Sequence, residues 1–209
     1  MGGPGSGKGT HCLMLAERKN CHHISTGVMI RNLINSPDAD QSEMIKSIKQ
    51  ITERGNLIDD SLIVTLLKEE MKKHPYANGF LIDGCPRTQA QLDIFERDID
   101  KCDKVLYLHL GKEAMHQRMI ERAAIEHRTD DNEFAMVNRL NIFQKQTLPV
   151  IEYLQKNYDS TFMQVDTSED KEVVAEKIAK QFETVGVKRK LDVSSDDVPP
   201  PLRPRFVYD

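Results

Sequence analysis

The chain has 209 residues and a formal net charge of -4, with 39% hydrophobic and 30% charged residues. This length suits one domain with a full core, and the acidic balance argues against a general nucleic-acid-binding protein, although it leaves room for a local basic cleft. No apolar run reaches the roughly 18 residues that a membrane span needs, and no signal segment precedes the first motif, so we expect a soluble intracellular protein. The 4 cysteines show no C-x-x-C spacing, which indicates neither a zinc knuckle nor a redox motif.

The first predicted element is a glycine-rich loop over residues 2–10, which leads into a helix. Glycines let successive backbone N–H groups turn inward on an anion, and the start of the helix adds positive potential. The loop predicts a nucleotide phosphate site in which Lys8 reaches the terminal phosphates and Thr10 lies near the metal. Gly9 stands where the Walker pattern has Ser or Thr after the lysine. A buried strand normally carries such a loop, and because that strand would need residues before Met1, we expect the first strand to be absent.

Strands and helices alternate along the rest of the chain, which predicts an α/β fold with a parallel sheet. Apolar runs predict strands over residues 21–25, 80–83, 105–110 and 162–165. Helical spacing predicts helices over residues 10–19, 26–35, 44–54, 61–73, 112–126, 133–158 and 171–185, with Pro149 interrupting the longest one. Asp83 ends the second strand, and a carboxylate at this place in a phosphate-loop protein favours a metal-binding role over a simple strand end.

The composition changes from about residue 186 to a basic triplet, Ser and Asp pairs and a run of prolines. This change predicts a disordered C-terminal tail over residues 186–209. The basic triplet at residues 188–190 is compatible with a nuclear address, although plain solvated surface explains three charges more often. We therefore expect a cytoplasmic protein and leave a nuclear location open.

Four segments carry the groups that phosphate chemistry requires. They are the glycine-rich loop, residues 23–27, residues 80–87 and the arginine-rich stretch over residues 118–139. In their order and spacing, these segments resemble the adenylate kinases, in the nucleoside monophosphate kinase family, from residue 1 to about residue 185. The resemblance implies a P-loop three-layer α/β/α sandwich with a central parallel sheet. It also implies a helical monophosphate-binding insertion over about residues 26–60 and a short lid over about residues 123–132.

The chemistry of this family explains why arginines matter. Transfer of a phosphoryl group from ATP to a second phosphate requires charge neutralisation and in-line positioning rather than a nucleophile made by a base. The acceptor is already an anion, so the reaction needs guanidinium groups, a lysine, a metal and the exclusion of water. Arginine suits this purpose because its planar fork binds phosphate in a bidentate manner. The candidates are Arg31, Arg87, Arg118, Arg122, Arg128 and Arg139.

The resemblance implies a role for each matched residue. ATP would be bound by Arg122 and by the loop residues Gly3, Gly5, Ser6, Gly7, Lys8, Gly9 and Thr10, while Asp83 would hold Mg²⁺ through water. AMP would be bound by Thr26, Arg31, Arg87, Gln91, Arg128 and Arg139, with Thr26 and Gln91 approaching the base. The groups acting on the transferring phosphoryl group would be Lys8, Arg87, Arg118, Arg128 and Arg139. The lid carboxylates Asp130 and Asp131 would hold the arginines in position.

The acceptor is either AMP or a pyrimidine monophosphate, UMP or CMP. A site that hydrogen-bonds a base edge discriminates strongly, because the wrong base leaves buried polar groups unpaired. Thr26 after Ser25 and the longer amide of Gln91 favour AMP, since pyrimidine-type enzymes carry a Ser-Ala-Gly motif and Asn at these places. The main hypothesis is a monomeric ATP:AMP phosphotransferase that maintains adenine nucleotide balance with Mg²⁺, without a structural metal and without nucleic-acid or membrane partners. A UMP/CMP kinase is the alternative.

Three residues depart from the family pattern. Val28 stands where Asp is usual, His11 where Gln is usual, and Cys85 where an aromatic residue is usual. Together with the expected absence of the first strand, Val28 motivates a second hypothesis, a truncated inactive form that at most binds nucleotides. A P-loop GTPase or motor ATPase is disfavoured, because Gly9 breaks the strict motif and no Asn-Lys-x-Asp segment is present. We assign no role to His22, His23, His109, His116 and His127.

Overall fold

A computed structural model of the chain describes residues 1–37, 39–126, 132–184 and 206–208. The α-helices in these ranges are α1 (Lys8–Lys19), α2 (Thr26–Ile34), α3 (Glu43–Glu53), α4 (Asp60–Lys72), α5 (Gln89–Asp98), α6 (Lys112–Glu126), α7 (Glu133–Ile142), α8 (Leu148–Asn157) and α9 (Lys171–Thr184). The strands are β1 (His22–Ser25), β2 (Phe80–Asp83), β3 (Lys104–His109), β4 (Phe162–Asp166) and β5 (Phe206–Tyr208). None of the helices in these ranges combines the length and the apolar character that crossing a membrane would take.

The described strands form one parallel sheet in the order β1, β2, β5, β3, β4. Parallel strands that are covered on both faces are apolar along their whole length. β2 is buried at every position, and β3 is buried at every position before His109. The apolar runs therefore predicted these two strands correctly, and the predicted parallel α/β sheet is confirmed.

Helices cover both faces of the sheet because successive strand side chains point to opposite sides. On one side, Leu81 and Leu106 pack in a cluster with Leu15 of α1 and Ile178 of α9. The residues next to them in these strands enter a larger second cluster with helices α2 to α8. Its members from β2 and β3 are Phe80, Ile82, Val105 and Tyr107. The predicted three-layer α/β/α sandwich is thus confirmed.

Two helical regions differ in detail from the sequence prediction. Helix α5 was not predicted; Thr88 caps it by accepting a hydrogen bond from the backbone N–H of Gln91 at 3.0 Å, and Phe95 anchors it in the core. The long predicted helix over residues 133–158 consists of α7, a π-helical turn over Phe143–Thr147, and α8. Pro149 lies in the first turn of α8, directly after the π-helical turn.

The central strand of the sheet is the element that differs most from the sequence prediction. β5 lies between β2 and β3, at the position expected to lack a strand, and Val207 of β5 is only 3% exposed. The composition predicted disorder for all of residues 186–209, and this prediction is wrong for residues 206–208. A run of three residues that follows a proline-rich stretch is too short to give a periodic strand signal. The remainder of the predicted tail, and residues 127–131 of the predicted lid, lie outside the described residues.

Candidate functional site

The glycine-rich loop turns sharply before it enters α1. Gly5 and Gly7 have φ values of 77° and 82°, in the left-handed region that favours glycine. At Gly3, a Cβ atom would lie 2.4 Å from Sδ of Met115, so the Met115 side chain would have to move to admit a larger residue. Gly7 is the N-cap of α1 and provides no side-chain cap, which leaves the first N–H groups of this helix available to bind an anion.

A lysine and a carboxylate lie against this loop. Nζ of Lys8 donates to the carbonyl oxygens of Gly2 at 3.0 Å and Gly3 at 2.8 Å. Asp83 ends β2 and is 7% exposed. Burial raises the pKa of this carboxyl group, but His23, Lys8 and Arg87 outweigh burial, so the pKa of Asp83 lies below its ordinary value of 3.8. Asp83 is therefore an ionised, buried carboxylate beside the phosphate loop.

Two clefts meet next to the loop. The first, which we call the loop cleft, has a volume of about 510 Å³ and is lined by Gly2, Pro4 and Lys8 among others. The second, which we call the helix cleft, has a volume of about 650 Å³ and is lined largely by residues of α2 and of the α3–α4 connection. The residues that line both clefts are Gly55, Leu57, Gly84, Arg87 and Arg139.

Polar side chains on the floor of the helix cleft are held by the backbone after β2. Thr26, which is 3% exposed, donates its hydroxyl to the carbonyl oxygen of Asp83 at 3.2 Å. Oε1 of Gln91 accepts from the backbone N–H of Arg87 at 2.7 Å, and Nε of Arg87 donates to the carbonyl oxygen of Gly84 at 2.9 Å. Gly84 has a φ of 86°, and a Cβ atom there would lie 2.5 Å from Oγ1 of Thr26. Only glycine therefore brings Thr26 and Arg87 this close.

The other predicted arginines surround the two clefts. Arg31 lines the helix cleft but not the loop cleft. Nη2 of Arg118 donates to the carbonyl oxygen of Thr167 at 2.7 Å. The Cβ atom of Arg118 lies 3.3 Å from the place where Gly5 would carry its own Cβ, so α6 packs directly on the phosphate loop. Arg122 follows one helical turn later on the same side of α6. The remaining predicted lid residues, Arg128, Asp130 and Asp131, lie outside the described residues.

Comparison with known proteins agrees with this arrangement. The profile of the family described as "Adenylate kinase" matches residues 1–159. The chain is 37% identical over 190 residues to "Adenylate kinase 1" of Schistosoma mansoni, an alignment that covers 90% of this chain and 93% of that protein. It is 36% identical over 182 residues to "Adenylate kinase isoenzyme 1" of Homo sapiens, with 81% of this chain and 92% of that protein covered.

The chain belongs to the adenylate kinase family. Adenylate kinases are phosphotransferases of the nucleoside monophosphate kinase class, so the predicted enzyme class and the ATP:AMP phosphotransferase hypothesis are confirmed. The same comparisons give no support to the UMP/CMP kinase or to the truncated inactive form.

Within the adenylate kinase fold, the three departures from the family pattern are accommodated in different ways. Val28 is 45% exposed and lines neither of the two clefts. His11 is buried beneath Gly7, and burial followed by the charge of Arg118 lowers the pKa of its imidazole, which is therefore neutral at pH 7. Cys85 is fully buried, and burial raises the pKa of its thiol to about 12, so it is an unreactive part of the core.

One cluster beside the adenylate kinase site was missed by sequence reasoning. Single ligand atoms of Cys12, His23 and Asp83 lie within 4.8 Å of one another, and Nε2 of His23 is 3.9 Å from Oδ2 of Asp83. The three residues come from α1, β1 and β2, so no spacing along the chain could have revealed them. His23, to which we assigned no role, thus supports the charge of Asp83.

Proposed function

We propose that ATP binds in the loop cleft and AMP in the helix cleft, and that the γ-phosphoryl group of ATP passes between them to give two molecules of ADP. The observation that supports this most directly is that the clefts share Arg87 and Arg139. A phosphoryl group in transit lies where the two nucleotide sites meet. Two guanidinium groups at that place would neutralise the charge that builds up on it.

The transfer needs no proton acceptor. A phosphate oxygen of AMP forms a bond to the γ-phosphorus of ATP. The bond between that phosphorus and the oxygen that bridges it to the β-phosphorus breaks, and this oxygen leaves as part of ADP. In this scheme, Lys8 and the first N–H groups of α1 hold the donor phosphates. Arg118, which packs on Gly5, and Arg122 approach the donor from α6. We assign Arg128 of the lid to the same step on the basis of the family resemblance alone, and Arg31 to the acceptor phosphate.

We propose that Asp83 holds Mg²⁺ through water. Magnesium prefers hard oxygen ligands and keeps several of its waters, and a buried carboxylate whose pKa lies below its ordinary value is such a ligand. When bound, the ion would neutralise charge on the donor phosphates. Thr10, exposed in the first turn of α1 close to Lys8, is the second oxygen donor that we assign to this region.

The hydrogen bonds of Thr26 and Gln91 suggest how the acceptor base is recognised. The hydroxyl of Thr26 donates its proton to the carbonyl oxygen of Asp83, so the lone pairs of this hydroxyl can accept a hydrogen bond from the base. Oε1 of Gln91 accepts from the backbone N–H of Arg87, so Nε2 of Gln91 can donate a hydrogen bond to the base. Adenine offers a complementary edge, with an amino donor beside a ring-nitrogen acceptor. Cytosine presents the same pattern on a smaller ring, and uracil presents the reverse pattern. We therefore propose the preference AMP over CMP over UMP.

We further propose the domain limits that the family resemblance implies. Residues 1–185 form the kinase domain, residues 26–60 its monophosphate-binding insertion and residues 123–132 its lid, and the protein acts as a cytoplasmic monomer. The helix cleft supports the range of the monophosphate-binding insertion, residues 26–60, because Thr26, Arg31, Asn56 and Ile58 line this cleft. Light scattering checks the monomer, and microscopy of the tagged protein checks the location.

A coupled assay for ADP tests the proposed reaction. With Mg²⁺ and ATP, we expect rapid ADP formation with AMP, less with CMP and least with UMP, and loss of turnover when the metal is chelated. Arg139→Ala should abolish most turnover, whereas Arg97→Ala, at an exposed ion pair with Asp98, should leave it unchanged. Turnover with UMP but not with AMP would overturn the base assignment. A folded protein that forms no ADP would overturn the reaction itself.

A further inference from the structure

A second group of metal-binding side chains lies apart from the two clefts. One ring nitrogen each of His22 and His74 and one carboxylate oxygen of Glu70 lie within 4.8 Å of one another. The three residues come from the start of β1, from α4 and from the segment that follows α4. None of them lines the loop cleft or the helix cleft, so the group has no part in the proposed reaction.

The backbone fixes the positions from which these side chains extend. The N–H of His22 donates to the carbonyl oxygen of Gly79 at 2.8 Å, which attaches the start of β1 to the neighbouring chain segment. Glu70 lies on α4, and the N–H of His74 donates to the carbonyl oxygen of Met71 in the last turn of this helix at 3.0 Å. The three side chains are therefore brought together by regular structure, and a bound ion would need to move side chains only.

The two histidines stack on one another. Their ring centroids are 3.5 Å apart, with 25° between the ring planes, and Phe80 packs edge-on against His22 with its centroid at 6.1 Å. Burial, followed by the charge of His74, lowers the pKa of the His22 imidazole below its ordinary value of 6.5. Histidine binds metal ions in its neutral form. His22 is thus in the form that binds metal at pH 7.

Glu70 adds a negative charge to this pair. One of its oxygens, Oε1, lies 3.7 Å from Nε2 of His74, while the other, Oε2, accepts a hydrogen bond from Nζ of Lys73 at 2.7 Å. The bond from Lys73 is the main cause that lowers the pKa of Glu70 below its ordinary value of 4.5, so the carboxylate is ionised at pH 7. Lys73 therefore holds one oxygen, and the other is directed at the histidines.

The distances suit a small transition-metal ion. In a tetrahedral zinc site with bonds of about 2.0–2.1 Å, the donor atoms lie roughly 3.3 Å from each other. The distance of 3.7 Å between Glu70 and His74 is close to this value, and rotation of the side chains can bring the third donor in. The side chains of Glu70 and His74 are 28% and 37% exposed. An ion can therefore enter from solvent, and water can fill a fourth position.

The donor types select the class of metal. Imidazole nitrogens suit Zn²⁺ and its neighbours in the first transition row, whereas Mg²⁺ and Ca²⁺ prefer oxygen ligands. Two histidines, one glutamate and one water are an established set of zinc ligands. Asp83, which we assign to Mg²⁺, offers oxygen instead. The two places would therefore bind different metals from the same solution.

We propose that His22, Glu70 and His74 form a binding site for Zn²⁺, with water as the fourth ligand. The ion would tie the end of α4 to β1, which lies at one edge of the described sheet. Both elements lead to the helix cleft, because Thr26 directly follows β1 and Ile63 of α4 lines that cleft. The site is independent of the proposed reaction, since it requires neither nucleotide nor turnover.

Calorimetric titration of the intact chain with Zn²⁺, in buffer that contains Mg²⁺, tests the site. We expect a binding event with a stoichiometry of one that also raises the Tm. Loss of a group that only supports a metal ligand costs about 10-fold to 100-fold in affinity. His74→Ala and Glu70→Gln, which remove ligands themselves, should therefore each raise the Kd by about 100-fold or more. His116→Ala in α6 and Glu69→Gln, at an exposed ion pair with Lys72, are the matched controls and should leave the Kd unchanged.

Co²⁺ used in place of Zn²⁺ distinguishes this site from the cluster of Cys12, His23 and Asp83. A thiolate ligand adds a sulfur-to-metal charge-transfer band in the near ultraviolet, which nitrogen and oxygen ligands cannot give. We expect visible Co²⁺ bands without that band, lost in His74→Ala and retained in Cys12→Ala. If Cys12→Ala loses the metal, or if His74→Ala binds Zn²⁺ as tightly as the intact chain, the inference is wrong.

The fold of each variant is checked separately from metal binding. Because the three ligands line neither cleft, ADP formation by His74→Ala and Glu70→Gln with Mg²⁺ and without Zn²⁺ should equal that of the intact chain. Glu70→Gln keeps the shape of the side chain, so it remains decisive if an alanine variant folds poorly. An intact chain that binds no Zn²⁺ overturns the site. An intact chain that binds Zn²⁺ but forms no ADP overturns the proposed reaction and supports the site.

Discussion

The loop cleft and the helix cleft are built from the chain in different ways. The loop cleft uses backbone N–H groups and one lysine from a continuous run, residues 2–10. The helix cleft uses side chains from separate parts of the chain, among them Thr26, Arg31 and Gln91. The first kind of site depends on the strand position and the helix that hold a short loop, whereas the second depends on how distant elements pack. Substitutions that affect one cleft and spare the other therefore test this division.

The largest effect is expected for Lys8→Met in the loop cleft. The substitution removes the only side-chain charge of the loop and the hydrogen bonds to Gly2 and Gly3. We expect kcat/KM for ATP to fall by about 100-fold to 1000-fold, the cost of losing one group that stabilises transition-state charge. The Kd for AMP, measured by calorimetry, should remain near its original value. Lys19→Met at the other end of α1 is the control, and an equal loss of AMP binding would contradict the division.

Gly84→Ala should affect the helix cleft next most strongly. Alanine at a φ of 86° is strained, and its Cβ would lie 2.5 Å from Oγ1 of Thr26. We expect the free energy of unfolding to drop by about 1 to 3 kcal/mol, and KM for AMP to rise more than KM for ATP. Chemical denaturation and steady-state kinetics measure both. Gly111→Ala is the control, since nothing lies within 4 Å of a Cβ there. Equal changes in the two KM values would count against a local effect.

Gln91→Glu should change the choice of base. The substitution replaces the Nε2 donor with an acceptor and leaves the bond to the N–H of Arg87 intact. We expect kcat/KM for AMP to fall by about 10-fold to 100-fold, the cost of one unpaired polar group at a base edge, while UMP gains relative to AMP. Gln50→Glu on the exposed side of α3 serves as the control. An unchanged ratio of AMP to UMP turnover would show that Gln91 does not contact the base.

Val28→Asp, which restores the usual family residue, should have the smallest effect. Val28 is exposed and lines neither cleft, and surface substitutions of this kind change stability by about 0.5 kcal/mol or less. KM for AMP and kcat should therefore stay close to those of the original chain in the coupled assay. A marked gain in either would show that residue 28 reaches the acceptor through a contact that forms only with the nucleotide bound.

The contrast between the clefts also explains what the sequence could predict. The glycine turn that leads into α1 and the apolar strands β2 and β3 are local patterns, and the structure contains all of them. Helix α5 was missed because its buried residues, Leu92 and Phe95, are too few for a clear period in a mostly polar segment. The neighbours of Asp83 come from α1 and β1, and only tertiary packing brings Cys12 and His23 to it.

The sequence did not predict β5, and the reason differs from that for α5. Its residues have strand propensity, but three residues carry no periodicity, and the prolines and charges before them indicate disorder. What makes them a strand is their pairing with β2 on one side and β3 on the other, which only the tertiary structure provides. The roles of the predicted arginines and of Gln91 remain predictions, because they concern nucleotides rather than contacts within the protein.

The place of β5 in the sheet also has a consequence for the order of folding. Val207 is opposite Leu81 and Lys104, so these central pairings join residues more than 100 positions apart. Contacts so distant along the chain close late in folding, after the local helices have formed. The two halves of the sheet should therefore be joined through β5 in one of the last steps of folding.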